Sequence, residues 1–220
     1  MRRGIGLAKN EYSAFTETLI EKLKQEKIKP SLFLHACCAP CSSYVLEYLS
    51  EYFDISLYYY NPNISPKKEY VFRLEELSRL LKEMPEAKGV KIIDAPYDEQ
   101  TFFDAVKGLE LLPEGDKRCY KCYELRISET AKKAKENNFD YFTTTLSISP
   151  YKNADWLNQI GQDLEKKYNV KYLVSNFKKK NGYKRSIELS KDYGLYRQDY
   201  CGCVFSKKQA ESRLLEKELK

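Results

Sequence analysis

Short apolar runs alternate with longer stretches of helical periodicity along almost the whole chain, and this alternation limits the fold more than any other feature. Ser31–Ala36, Ile55–Tyr60, Val90–Asp94, Tyr141–Thr145 and Tyr172–Ser175 read as strands, rich in β-branched and aromatic residues. Helical spacing is expected over Phe15–Gln25, around Val45, Leu46 and Leu49, over Lys67–Met84, Glu99–Val106, Cys119–Asn137 and Ala154–Tyr168, and near Ser186–Tyr193. Strands separated by helices of this length indicate βαβ units. The expected fold is α/β: a Rossmann-like, mostly parallel sheet with helices on both faces. Such sheets bind ligands beyond the carboxyl ends of their strands.

At 220 residues the chain is expected to form a single α/β domain over 1–220, with an N-terminal helical extension over 1–30 and a charged C-terminal helix over 206–220. Hydrophobic residues make up 42% and charged residues 32%, which excludes collagen-like, low-complexity and mainly disordered chains. No run approaches the ~20 apolar residues of a membrane span, and the start MRRGIGLAKNEYS lacks the apolar centre of a secretory signal. A cytoplasmic location is expected. The net charge of +6 permits a polyanionic partner without requiring one.

In a reducing compartment, clustered thiols more often bind metal or carry redox chemistry than form structural disulfides. All seven Cys fall in three short clusters. Cys37, Cys38 and Cys41 (HACCAPCSS) occupy the turn after the first strand and open a helix, where amides and the helix dipole favour anionic ligands. Cys119 and Cys122 (RCYKCYELR) open another helix, and Cys201 and Cys203 (YCGCVFS) lie near the C-terminus. A Cys-x-x-Cys turn lets two thiolates grip one metal or cluster, and a second pair closes a four-sulfur site. Structural zinc and an iron–sulfur cluster both satisfy that pattern. Adjacent Cys37 and Cys38 suit the separated irons of a cluster better than a zinc knuckle, and packing as small buried hydrophobes accounts poorly for three such clusters. A ring closed by Cys201 and Cys203 would be small, strained and easily reduced, as a redox relay requires; spare thiols on a flexible tail are the plainer reading.

Asn61 and Asn63 follow the second strand, and Ser147, Ser149, Tyr151, Lys152 and Asn153 follow the fourth, so both segments are expected at the rim of the Cys loops. They can bond a polar ligand, although Pro-Asn and Ser-Pro are also ordinary turn chemistry. Lys178, Lys179 and Lys180, with Lys184 and Arg185, form the one dense basic run, a candidate contact for RNA phosphates or simply a solvated surface. Exposed Tyr among these cations would stack on unpaired bases. His35, the chain's one histidine, could serve a thiolate or could be a core residue. Asp116, Glu124, Asp155 and Asp199 lie near Cys or the rim in sequence and are candidate acids or oxygen ligands.

HACCAPCSS, YYYNPNISPKKEY, RCYKCYELR, TTTLSISPYKN, NFKKKNGY and YCGC together resemble the QueH-type epoxyqueuosine reductases over about residues 32–206. The resemblance implies removal of the epoxide oxygen from epoxyqueuosine in a tRNA anticodon loop to give queuosine, with electrons from an unidentified donor. It implies a 4Fe-4S cluster on Cys37, Cys38, Cys119 and Cys122 and a redox-active pair at Cys201 and Cys203; the family is also associated with an additional iron beside the cluster, for which Cys41 and a nearby Asp are the candidate ligands in this chain. The implied fold is similar to the ATP-pyrophosphatase-like nucleotide-binding folds, but HACCAPCSS stands where those enzymes carry a Gly- and Ser-rich phosphate loop, so ATP use is not expected. Two rival readings remain: a zinc-stabilised RNA-binding module and a thiol-disulfide oxidoreductase.

Overall fold

The structure is a computed structural model and describes residues 11–218. Five strands form one parallel sheet in the order β3-β2-β1-β4-β5: β1 (Ser31–His35), β2 (Asp54–Tyr59), β3 (Lys91–Asp94), β4 (Tyr141–Thr144) and β5 (Lys171–Tyr172). Helices α1 (Tyr12–Glu26), α2 (Ala39–Leu49) and α3 (Lys67–Glu83) are followed by α4 (Glu99–Ala105), α5 (Lys117–Glu136), α6 (Ala154–Tyr168), α7 (Gly182–Asp192) and α8 (Val204–Glu218).

Successive strand residues point to opposite faces, and the core divides accordingly. Leu32, Leu34, Leu57 and Tyr59 face Ile20 and Leu23 of α1, Val45 and Leu49 of α2, and Leu77 and Leu80 of α3. Phe33, Tyr58, Phe142 and Tyr172 face Tyr123, Ile127 and Ala131 of α5 and Leu157, Ile160 and Leu164 of α6. From β1 the chain winds outward through β2 to β3, then crosses back to β4 on the other side of β1. The β1 and β4 exits therefore diverge and open the crevice where doubly wound sheets place their ligands. Asp140 locks the starts of these two strands, its Oδ2 accepting from Ser31 N–H at 2.9 Å and Ser31 Oγ at 2.7 Å.

Three boundaries differ from expectation. The fifth strand, expected at 172–175, pairs with β4 only over Lys171–Tyr172. The Asn158 amide takes the backbone of Ser175 in place of a strand, accepting its N–H and donating to its carbonyl, each at 2.9 Å. The next helix starts at Gly182 rather than 186, because Lys180 (φ 51°) and Asn181 (φ 65°) turn the chain into it early. The last helix starts at Val204, with the buried Cys203, Ser206 and Ala210 tying its first turns to the body. Within segment 1–30, α1 docks through Ile20, Leu23 and a 2.7 Å bond from Thr16 Oγ1 to the Val174 carbonyl. Residues 1–10 and 219–220 of the expected terminal segments lie outside the described residues.

Candidate active site

The turn leaving β1 carries the first thiol group. Cys38 is the extended residue (φ −172°, ψ 166°) that begins α2, and Pro40 stands in the first helical turn, where its missing N–H costs nothing. Cys41 lies one turn on. The three sulfurs of Cys37, Cys38 and Cys41 lie within 4.8 Å of one another, and Cys37 Sγ is 3.7 Å from Cys38 Sγ. Thr145, on the turn leaving β4, clamps Cys37: its hydroxyl donates to Cys37 Sγ at 3.5 Å and accepts the Cys37 N–H at 3.3 Å. The thiols of Cys38 and Cys41, followed by the Arg126 guanidinium and the Thr145 hydroxyl, hold the Cys37 pKa well below the ordinary thiol range despite burial. The resulting anion pushes Cys38 up to about 12 and raises Cys41. Cys37 is thus the thiol of the three that ionises most readily, and together they can hold a metal ion.

A second group gathers behind the first. Cys119 and Cys122 lie in the first two turns of α5, and Cys203 is the residue before α8. Burial raises the pKa of Cys119 and Cys203 and pushes that of Cys122 up to about 12. Cys119 Sγ accepts the Gly115 N–H at 3.2 Å, and Cys203 Sγ accepts the Ser206 N–H at 3.4 Å. An open cavity of about 340 Å³ is lined by Cys37, Cys38, Cys41 and Cys201 among others. A much smaller inner cavity is lined by Cys119, Cys122, Cys201 and Cys203. Cys201, Lys152 and Glu114 line both.

Buried cations surround these sulfurs, and sequence reasoning passed over three of them. Arg126, 1% exposed, donates to Cys122 Sγ at 3.9 Å and to Asn61 Oδ1 at 2.5 Å, while Asn61 Nδ2 donates to the Ala36 carbonyl just before Cys37. Arg73, 3% exposed, donates to Glu69 at 2.7 Å and to the Cys201 carbonyl at 3.3 Å. Arg118, 2% exposed, donates to the Glu110 and Leu112 carbonyls and lies over the Phe205 ring. The motif RCYKCYELR holds the available signal, because Arg118 immediately precedes Cys119 and Arg126 lies one turn beyond Cys122. Arg73 offered none, because Glu69 and Arg73 at i,i+4 spacing look the same in sequence whether the pair is solvated or buried. Arg73 Nη2, Arg118 Nε and Nη2, and Arg126 Nε are buried without a partner. Buried guanidinium N–H groups need acceptors, and a thiolate-bound metal centre would be one that also matches their charge.

The other expected residues divide between the cavity mouth and the interior. Ser149, Tyr151 and Lys152 line the open cavity, and Tyr151 is 73% exposed. Asn63 lines the inner cavity, whereas Asn61 is enclosed between Arg126 and Ala36. Lys178 turns inward, its Nζ donating to the Lys152 carbonyl at 2.7 Å and the Ser149 carbonyl at 3.2 Å, so it braces the rim loop. Lys179 is exposed, and Lys180 pairs with Glu17. Asn153 caps α6, Asp116 precedes α5, Glu124 pairs with Lys121, and Asp199 lines the open cavity. His35 is a core residue: Nδ1 lies 2.8 Å from Thr144 Oγ1 and Nε2 lies 3.1 Å from the Tyr60 carbonyl. The Tyr60 carbonyl can only accept, so the ring donates to it through Nε2, and Thr144 Oγ1, which accepts the Leu146 N–H, gives its own proton to Nδ1. Burial, helped by Arg126, lowers the His35 pKa to about 3 and keeps the ring neutral.

Fold and site together define a doubly wound α/β protein with a cysteine-lined crevice and a metal-competent thiol triad at the switch point of its sheet. The model of the family "Epoxyqueuosine reductase QueH" matches residues 32–209, and the chain belongs to this family of tRNA-modification enzymes. It is similar to the epoxyqueuosine reductase QueH of Staphylococcus aureus (strain Mu50), with 44% identity over 205 residues, 91% of this chain and 85% of that protein. The QueH of Streptococcus pyogenes serotype M1 is 43% identical over 91% of this chain and 79% of its own. The QueH of Thermotoga maritima is 37% identical over 80% of this chain and 90% of its own. Among solved structures, the U34-tRNA thiolase NcsA from Methanococcus maripaludis with its [4Fe-4S] cluster is a distant likeness, at TM-score 0.47 and 14% identity over 88% of this chain and 68% of that one. Among the described residues, no helix is long and apolar enough to cross a membrane.

Proposed function

We propose that this enzyme removes the epoxide oxygen of epoxyqueuosine within a tRNA anticodon loop, giving the alkene of queuosine and water, and that it does so with a 4Fe-4S cluster. The observation that carries the reading is the meeting of thiol-bearing loops at one crevice, where Cys37, Cys38 and Cys41 open onto a cavity of about 340 Å³ and Cys201 joins it to Cys119 and Cys122. The buried, unpartnered N–H groups of Arg73, Arg118 and Arg126 support an anionic sulfur-ligated group over a neutral one. Cys37, Cys38, Cys119 and Cys122 would hold the cluster. Cys41, with Asp199 on the same cavity wall, is left for an additional iron. When bound, the cluster supplies electrons and a Lewis-acidic iron.

The reaction takes two electrons and two protons, and the protein's own residues supply position and charge. The open cavity would receive an extruded base, as required where chemistry must reach a base inside a folded nucleic acid. Tyr151 at its mouth offers a face for stacking, and the exposed Lys179 offers a phosphate contact. Lys178 holds the rim loop that carries Ser149 and Lys152. Burial works against the charge on Lys152, but Cys201, Tyr123 and Glu114 hold its pKa well above the ordinary value, so Nζ keeps its proton at the cavity wall. Cys201 and Cys203 would cycle between dithiol and disulfide to pass electrons inward from an external donor, in a cytoplasm that keeps thiols reduced.

The test is anaerobic incubation of cluster-loaded enzyme and a chemical reductant with tRNA bearing epoxyqueuosine, followed by nucleoside mass spectrometry. Conversion to a nucleoside lighter by one oxygen supports the reading. An unchanged nucleoside, with the cluster fully loaded and reducible, would remove it.

A further inference from the structure

The two sulfurs of the Cys-Gly-Cys loop stand in different surroundings. Cys201 is half-buried, lines the open cavity and also reaches the inner one. Cys203 is 7% exposed and lines only the inner cavity, beside Cys122 and Phe102. It also caps α8: its sulfur accepts the Ser206 N–H at 3.4 Å and lies 3.3 Å from Ser206 Oγ, at the positive end of the helix. On the Cys201 side, Lys152 is 7% exposed, lines both cavities together with Cys201, and pairs with Glu114 at 3.2 Å. The backbone between them is fixed. Arg73 Nη1 holds the Cys201 carbonyl at 3.3 Å, and the Gly202 carbonyl accepts the Ser65 N–H at 3.0 Å.

Thiol–disulfide exchange is decided by which sulfur an attacking thiolate can reach and which sulfur leaves. Access decides here: the open cavity reaches Cys201 and not Cys203, and although burial raises the Cys203 pKa, the Ser206 N–H at the start of α8 offsets part of that cost. We infer that the pair is polarised: Cys201 is the sulfur that exchanges with an external thiolate reductant, Cys203 is the inner resolving sulfur, and the Lys152–Glu114 pair positions Cys201 for that exchange. This rests on the reading of Cys201 and Cys203 as a redox pair. A reductant thiolate attacks the Cys201 sulfur of the disulfide, a bond forms between those two sulfurs, and the Cys201–Cys203 bond breaks with its electron pair leaving on Cys203. A second reductant thiolate attacks the reductant's sulfur in the mixed disulfide, and Cys201 leaves as a thiolate. The reductant becomes a disulfide, and the pair has gained two electrons.

The test runs exchange in the opposite direction on reduced, cluster-loaded enzyme, with glutathione disulfide as the probe and peptide mass mapping as the readout. Cys203→Ser should collect glutathione at Cys201. Cys201→Ser should be modified at Cys203 at least roughly tenfold more slowly, because reactivity follows exposure. Adding Lys152→Gln to Cys203→Ser should slow the Cys201 adduct, and Lys152→Arg should restore it. Equal or faster modification of Cys203 overturns the polarity, and a Cys201 rate indifferent to Lys152→Gln overturns the role of Lys152. Wild-type enzyme with the same probe should lose the mass of two hydrogens from the peptide that carries both thiols. If it does not, the redox-pair reading itself falls, separately from the polarity.

Discussion

Gly202 holds the Cys-Gly-Cys loop in a conformation that other residues rarely adopt, with φ +110°, and a Cβ there would meet Arg73 Nη1 at 3.0 Å and Ile64 Cγ1 at 3.1 Å. Arg73 cannot swing aside freely, because it is 3% exposed and held by Glu69 and the Cys201 carbonyl. Gly202→Ala should therefore carry two costs. Backbone strain contributes about 1–2 kcal/mol, and displacing the neighbours by a few tenths of an ångström adds roughly 1 kcal/mol. Gly89 isolates the first cost, since its φ is +89° and nothing lies within 4 Å of its Cβ position. At this chain length 1 kcal/mol moves the midpoint by about 2–4 °C, so Gly202→Ala should melt roughly 2–4 °C below Gly89→Ala when both are followed by circular dichroism with metal loaded. Gly202→Ala should also lose multiple-turnover reduction while keeping its iron. Equal melting points together with normal turnover would refute the claim that Arg73 and Ile64 hold this loop in place.

Cys119→Ala should strip iron from the protein, whereas Cys203→Ala should keep iron and lose only multiple-turnover activity; equal iron loss from the two variants, measured by metal analysis, would contradict the division into cluster ligands and redox pair. Tyr151→Ala should weaken tRNA binding in filter or fluorescence assays by about 1–3 kcal/mol if a base stacks there, without changing iron content. His35 predicts the sign of a pH effect. Its folded pKa, about 3, lies below the unfolded value near 6.5, so the unfolded chain takes up a proton that the folded one refuses, and stability falls as pH drops below about 6.5. Since the chain has one His, chemical denaturation should show the gap between wild type and His35→Gln narrowing by about 2 kcal/mol from pH 7.5 to pH 5. Parallel curves would refute a neutral, buried His35.

Much of the architecture was legible because strand and helix periods differ and each strand here is bounded by turn residues. Leu32 and Leu34 against Phe33 show why: alternation assigns faces before any contact is known. The fifth strand was misjudged because its length was set by Asn158, a side chain from α6 that replaces a neighbouring strand at Ser175. The thiols were visible as clusters, and the β1 turn that carries the first of them stands at the carboxyl edge of the sheet, beside the turn leaving β4. Their surroundings were not visible. Arg126 joins Asn61, Cys122 and the neighbourhood of Cys37 from residues far apart in sequence, and a charge on a helix looks solvated until packing encloses it. The lysine run was opaque for the same reason: Lys178 braces the rim from inside while Lys179 stays exposed.

The central claim is that these thiols hold an electron-carrying cluster. Iron, zinc and acid-labile sulfide should be counted per chain on anaerobically purified protein. The account predicts about four or five irons and about four sulfides with little zinc. About one zinc and no sulfide, persisting after attempted cluster reconstitution, would contradict it and remove the electron source on which the proposed reduction depends.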